Sequence, residues 1–480
     1  MWQRDRGRRR LFTAVAVLVA VAASGQSASA APAAEGEPPA YRTAEGAESV
    51  RGADNSADAD ELKPGLYTDS IGPGEERYYS VTLDAESSAF LSAVAVPEPG
   101  GKVSYGDGIE VVLQDTDGQT CERGSRSFGS VSQPHPIATY ASRTIEKNGR
   151  CQEAGPYNVI LKRQTAATSD PGRWRVEIRY MSEPGVTGGS LRAPSKGGWS
   201  TEPPPPPAEK ARKSSGGTGF NDAPALDSGV WRDELLPGQT RFYRLPVDWG
   251  QQFTVRAELA NARMSEDHGF AASGLGVEVY NPARGFVASQ TRSYDGKQAA
   301  ARVGPGAPVA YDNRYDYGRE VSALRFAGWY YVAVSLRPEV AEFAEGSVPL
   351  TLRLNIDGEP GSGPKYAGDA AAAGFGNDSE PVEEGDRKTA AGESGRDRTM
   401  KLVAAAGLGT GTVLVIGLGV WALLARRRGA AGRQPDRSPE QLPGGFPEQR
   451  AEHRPAPAAD GWQAPRQPGD GAGYGPPPAW

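Results

Sequence analysis

The ten residues GPGEERYYSV at 72–81 return, altered but recognisable, as LPGQTRFYRL at 236–245. Pro73, Arg77 and Tyr79 map onto Pro237, Arg241 and Tyr243 at one constant offset of 164. The match continues along the chain. Gly108, Ile109 and Val111 answer to Gly274, Leu275 and Val277; Gly155, Tyr157 and Val159 to Gly328, Tyr330 and Val332; Val176, Ile178 and Tyr180 to Leu352, Leu354 and Ile356. The offset grows from 164 to 176, as it does when loops take insertions and strands do not. A chain built this way has to fold as two copies of one unit.

The unit is β. Trp174, Val176, Ile178 and Tyr180 alternate with Arg175, Glu177 and Arg179, and Leu350, Leu352, Leu354 and Ile356 alternate with Thr351, Arg353 and Asn355. Phe253, Val255, Ala257 and Leu259 do the same. A period of two sends one face into a core and the other into water, and Gly, Pro, Asn and Asp clusters mark the turns between runs. The expected fold class is mainly β: two tandem antiparallel β-sandwiches at 61–184 and 221–360, with one C-terminal transmembrane helix and disordered linkers.

The ends of the chain set its expected compartment. A basic start, MWQRDRGRRR, an apolar run at 11–23 and the small residues Ala28, Ser29 and Ala30 read as a signal peptide over 1–30, cleaved before Ala31. The apolar run at 402–425 has no charge between Lys401 and Arg426. At about 36 Å it is long enough to span a bilayer. These features predict a single-pass protein of the cell membrane, extracellular over 31–400 and cytoplasmic over 426–480. Residues 1–30 hold five Arg and one Asp, and 426–480 hold eight Arg and six acids, which leaves −12 for residues 31–425. So acidic an exterior excludes nucleic acid as a partner. The chain's two cysteines, Cys121 and Cys151, both lie in that part and predict a disulfide; as a metal pair their spacing fits no zinc pattern.

Between these landmarks, 31–60 reads as a flexible leader, 185–220 as a Pro/Gly-rich linker, 361–400 as a disordered stalk and 426–480 as a Pro-rich disordered tail. Gly407 and Gly411 sit at a GxxxG spacing that permits a homodimer within the membrane.

LPGQTRFYRL, GQQFTV (250–255), VEVYNP (277–282), AGWYYVAV (327–334) and LTLRL (350–354) together resemble the bacterial pre-peptidase C-terminal domain, a β-sandwich appended to secreted enzymes. The first copy keeps IGPGEERYYSV and AGPYNVIL (154–161) but has AESSAFLS in place of a glycine-led strand. The resemblance covers about half the chain. It implies an accessory or binding module, without catalytic residues, and the overall plan resembles single-pass envelope proteins of actinobacteria.

No nucleophile elbow, HExxH, P-loop or paired-carboxylate pattern occurs in the exported part, and no cofactor motif is found there. Acidic turns at 115–118 and 312–316 offer oxygen ligands of the kind calcium takes, and equally serve as plain Asx turns. The expected function is binding of an extracellular protein or cell-wall polysaccharide. An accessory subunit of a separate envelope enzyme or transporter is the second reading, and a hydrolase with a triad hidden in the sequence the third. Tyr and Arg dominate binding surfaces, which points to the long connection of the second copy and its Tyr294, Tyr311, Arg314, Tyr315, Tyr317 and Arg319; a long loop that covers a sheet edge is the alternative reading of the same residues.

Overall fold

The computed structural model describes residues 39–129, 133–146, 149–187, 198–266 and 268–376. In the first half, nine strands follow one another: β1 (Glu48–Ser49), β2 (Gly65–Ile71), β3 (Glu76–Leu83), β4 (Ser88–Val96), β5 (Gly108–Asp115), β6 (Thr120–Ser127), β7 (Ile137–Arg143), β8 (Gly155–Gln164) and β9 (Trp174–Glu183). They form two sheets, in the orders β1-β2-β9-β4-β7 and β3-β8-β5-β6. Setting aside the short edge strand β1, this is the eight-stranded jelly roll of two Greek keys.

The second half repeats it with β10 (Arg212–Lys213), β11 (Gly229–Leu235), β12 (Thr240–Val247), β13 (Gln252–Leu259), β14 (Arg263–Met264), β15 (Ala271–Tyr280), β16 (Phe286–Tyr294), β17 (Ala299–Val303), α1 (Arg319–Ala323), β18 (Gly328–Leu336), β19 (Ala344–Glu345) and β20 (Val348–Asp357). Its sheets run β10-β11-β20-β13-β17 and β12-β18-β15-β16, the same order strand for strand, with β14 and β19 added as a small ribbon. Each sandwich has its own core. Tyr79, Val81, Leu91, Val111, Val159 and Ile178 fill the first, and Tyr243, Leu245, Val255, Val277, Val332 and Leu352 the second.

Register corrects the repeat alignment at its last strand. Gly65 lies opposite Tyr180 and Gly229 opposite Leu354, so Tyr180 answers to Leu354, two residues short of the expected Ile356. A slip of two keeps every side chain on its face, so hydrophobic alternation is blind to it.

The repeat also begins earlier than the sequence suggests. β1 and β10, within the expected leader and linker, pair parallel to β2 and β11. Just beyond each, a glycine amide donates to an aspartate that also accepts from a tyrosine hydroxyl: Gly52 and Tyr79 on Asp69, at 2.8 Å each, and Gly216 and Tyr243 on Asp233, at 2.7 and 2.6 Å. A Cβ on Gly52 would meet Arg77 Cβ and Tyr79 Cζ at 2.8 Å; on Gly216 it would meet Tyr243 Cζ at 2.7 Å and Arg241 Cβ at 2.8 Å. Gly52→Ala and Gly216→Ala are each expected to destabilise the protein by about 1–3 kcal/mol, the range for overpacking, which urea unfolding will show.

Disordered linkers are thus corrected over much of their length. Tyr41 from the leader, Phe220 from the linker and Phe375 from the stalk are all buried. The expected transmembrane helix is not upheld either. Among the described residues no helix is long and apolar enough to cross a membrane, and the run at 402–425 lies outside them. The single-pass topology, the cell-membrane placement, the membrane as partner and the cytoplasmic tail fall with it. The signal peptide at 1–30, Gly407 and Gly411, and the tail at 426–480 likewise lie outside the described residues.

Candidate functional site

Both sandwiches belong to one unit of the chain, and what joins them follows from β4. Its sequence, SAFLSAVAV, is buried at all nine positions. Ala89, Leu91, Ala93 and Ala95 face the first core, while Val94 and Val96 join Ala138, Phe242, Tyr280, Tyr331 and Ala333 in a second cluster. The outer face of β1-β2-β9-β4-β7 therefore packs on the outer face of β12-β18-β15-β16. Tyr41 and Phe220 enter this cluster, and Phe375 packs with Phe90, Met181 and Phe326 in another beside it.

Among the described residues, three arginine–glutamate pairs cross the contact. Arg314 meets Glu183 with two parallel hydrogen bonds of 2.7 and 2.9 Å, their side chains 0% and 1% exposed. Tyr366 adds a hydroxyl to Glu183 at 2.8 Å, and the Arg314 guanidinium lies 3.4 Å from the Tyr311 ring centre. Arg284 pairs with Glu177, which also accepts from Asn221 and from the Ala44 amide. Arg126 pairs with Glu278, whose other oxygen accepts from Tyr280 at 2.6 Å. Burial opposes the charge on Arg314, but Glu183 outweighs it and raises the pKa above the ordinary arginine value. Burial alone would lift Glu278; Arg126 and His135 overcome it and hold the carboxyl below its usual range. The ions are thus charged because each has its partner.

The six residues expected to bind a ligand are dispersed by this arrangement. Tyr294 is buried in the second core, its hydroxyl donating to Ala260 O at 2.6 Å, and burial pushes its pKa up to about 12. Tyr311 and Arg314 serve the contact between sandwiches, and the partly buried Tyr315 has a hydroxyl without a partner among the described residues. Tyr317 and Arg319 are exposed at the start of α1. One segment therefore has two faces: its Arg314 side is fixed to the first sandwich, and its other side projects into solvent. Further along it, Val321 and Leu324 line a cavity of about 260 Å³ with Trp199, Phe253 and Val287.

The residues that sequence reasoning missed are Glu177, Glu183, Glu278, Arg284 and Asn221. Glu177 and Glu183 occupy the face of β9 that alternation assigns to water. The signal that was available is β4 itself, since an unbroken apolar strand reads as a sheet buried on both faces.

Cys121 and Cys151 are joined, with Cα atoms 5.6 Å apart. In the turn at 115–118 the Asp115 carboxylate accepts the amides of Asp117 and Gln119, which is an Asx turn. His135 is buried edge-on to Phe128, Nδ1 2.9 Å from Gln133 O, and burial lowers its pKa. The unfolded chain then binds the proton more tightly than the folded one. Stability is expected to fall as pH drops below about 6.5, by at most about 1.4 kcal/mol per pH unit. Urea midpoints between pH 7 and 5 should show this slope, and His135→Gln should flatten it.

No protein-family model matches the chain, and no curated protein sequence matches it. The resemblance to the pre-peptidase C-terminal domain and to actinobacterial envelope proteins is therefore not upheld. Among solved structures, the CUB1-EGF-CUB2 domain of human MASP-1/3 aligns at 9% identity over 60% of this chain and 99% of that one, with a TM-score of 0.15. The N-terminal CBM22-1–CBM22-2 tandem domain of a Paenibacillus barcinonensis protein aligns at 10% identity over 68% and 100%, also with a TM-score of 0.15. The ANXUR2 extracellular domain of Arabidopsis thaliana aligns at 10% identity over 62% and 86%, again at 0.15. Superpositions this poor carry no argument for fold or function.

Proposed function

We propose that the two sandwiches work as one rigid, non-catalytic binding module in an oxidising compartment, with the exposed end of the 311–323 segment as its contact surface. The Arg314–Glu183 pair carries this reading: it anchors the root of the segment that presents Tyr317 and Arg319, so those side chains are displayed without the ordering cost of a free loop. The disulfide supports the compartment. To test it, the intact chain and its Tyr317→Ala/Arg319→Ala variant are immobilised side by side and exposed to the material outside the cells that make it. Both side chains are exposed, so the variant should melt within about 1 °C of the parent. A species held by the parent and lost from the variant is the expected result; equal retention by both overturns the assignment.

A further inference from the structure

The outer face of the β10-β11-β20-β13-β17 sheet in the second sandwich carries three arginines in a row. Arg353, Arg256 and Arg302 stand directly opposite one another on β20, β13 and β17. Adjacent strands lie about 4.8 Å apart, and like charges placed opposite each other destabilise a sheet. One carboxylate, Glu258, serves two of them: it accepts from Arg256 Nε at 2.6 Å and from Arg353 Nε at 3.1 Å. Arg302 is exposed and pairs with no carboxylate among the described residues. The prolines at 203–207 lie alongside, Pro207 O accepting from Arg353 Nη1, and wall a cleft of about 40 Å³ with Thr254, Asn355 and the three arginines. Inside it, Thr254 is buried with a hydroxyl that has no partner among the described residues.

We infer that this cleft is a binding site for the carboxylate of a small acid. Its volume is a little more than one water's share of the liquid, room for a single oxyanion head group. Guanidinium forks match a carboxylate in shape, the Thr254 hydroxyl supplies a further donor, and the protein's net charge of −6 gives no general attraction for anions. The equivalent row in the first sandwich is Arg179, Ser92 and Tyr140, and there the same face is already docked, against the second sandwich. The inference stands independently of the role given to Tyr317 and Arg319.

The test titrates the intact protein with acetate, D-galacturonate and D-galactose, holding ionic strength constant with chloride, and follows calorimetric heat and Tm. Saturable binding of acetate at millimolar concentration is expected, with none for galactose. Arg302→Ala, an exposed substitution that removes one of the opposed like charges, should weaken it at least about tenfold without lowering the ligand-free Tm, and Arg256→Gln should weaken it likewise. Tighter binding of galacturonate assigns the site to sugar acids, and equal affinity assigns it to carboxylates in general. Acetate behaving as chloride does, or binding undiminished in Arg302→Ala, overturns the proposal and leaves the arginines as the seat of the proline strip.

Discussion

Arg314→Met is expected to destabilise the protein by about 3–5 kcal/mol, because it strands Glu183 as a buried, unpaired carboxylate. The net worth of the pair is a separate quantity and much smaller. Two ions removed from water recover through their mutual attraction roughly what desolvation cost them, so the double substitution Arg314→Met/Glu183→Leu should regain most of the loss. Tyr366 would keep a free hydroxyl in the double variant, which limits the recovery by about 1–3 kcal/mol. Urea unfolding of the four proteins in this cycle measures both numbers. A loss below about 1 kcal/mol for Arg314→Met would mean that Glu183 reaches water, and that the sandwiches part easily.

The second large effect is expected at the disulfide. Cys121 and Cys151 are 30 residues apart, and closing a loop of that length removes roughly 3–4 kcal/mol of chain entropy from the unfolded state. Cys151 packs in the first core, so a Cys121→Ala/Cys151→Ala variant tests the crosslink with little loss of volume. Its urea midpoint should fall by the corresponding amount, and reductant should leave it unmoved while lowering that of the parent. Equal midpoints for variant and oxidised parent would show that the loop is ordered without the bond.

How much of this was legible in the sequence depends on what each pattern reports. Period-two runs report which face of a strand meets a core, and the strands at 174–180, 253–259 and 350–356 were readable for that reason. Duplication told that two such folds follow one another, and the constant offset of 164 read from Gly65 onward holds for β2 through β4. The same patterns are silent on the other face. Glu177 and Arg179 look like solvated residues by alternation, yet they lie under the second sandwich, because nothing local in β9 encodes what arrives from 100 residues away. Composition misled in the connections. Residues 39–60 and 198–220 are poor in apolar side chains, but single aromatics, Tyr41 and Phe220, are enough to pin them when a ready-made apolar surface waits. Tyr and Arg at 311–319 were singled out by residue type as a ligand surface. Arg314 makes its contact within the chain, which residue type alone does not distinguish from a contact with an outside partner.

The account rests on two sandwiches acting as one body, and differential scanning calorimetry of the intact, oxidised chain tests that most directly. With two buried ion pairs, a third that is partly buried and two apolar clusters spanning the contact, neither sandwich should unfold alone. One transition is predicted, its calorimetric enthalpy equal to its van't Hoff enthalpy, and Arg314→Met should shift that single peak as a whole. Two resolved transitions, or a calorimetric enthalpy about twice the van't Hoff value, would contradict the account and return the chain to two independent modules.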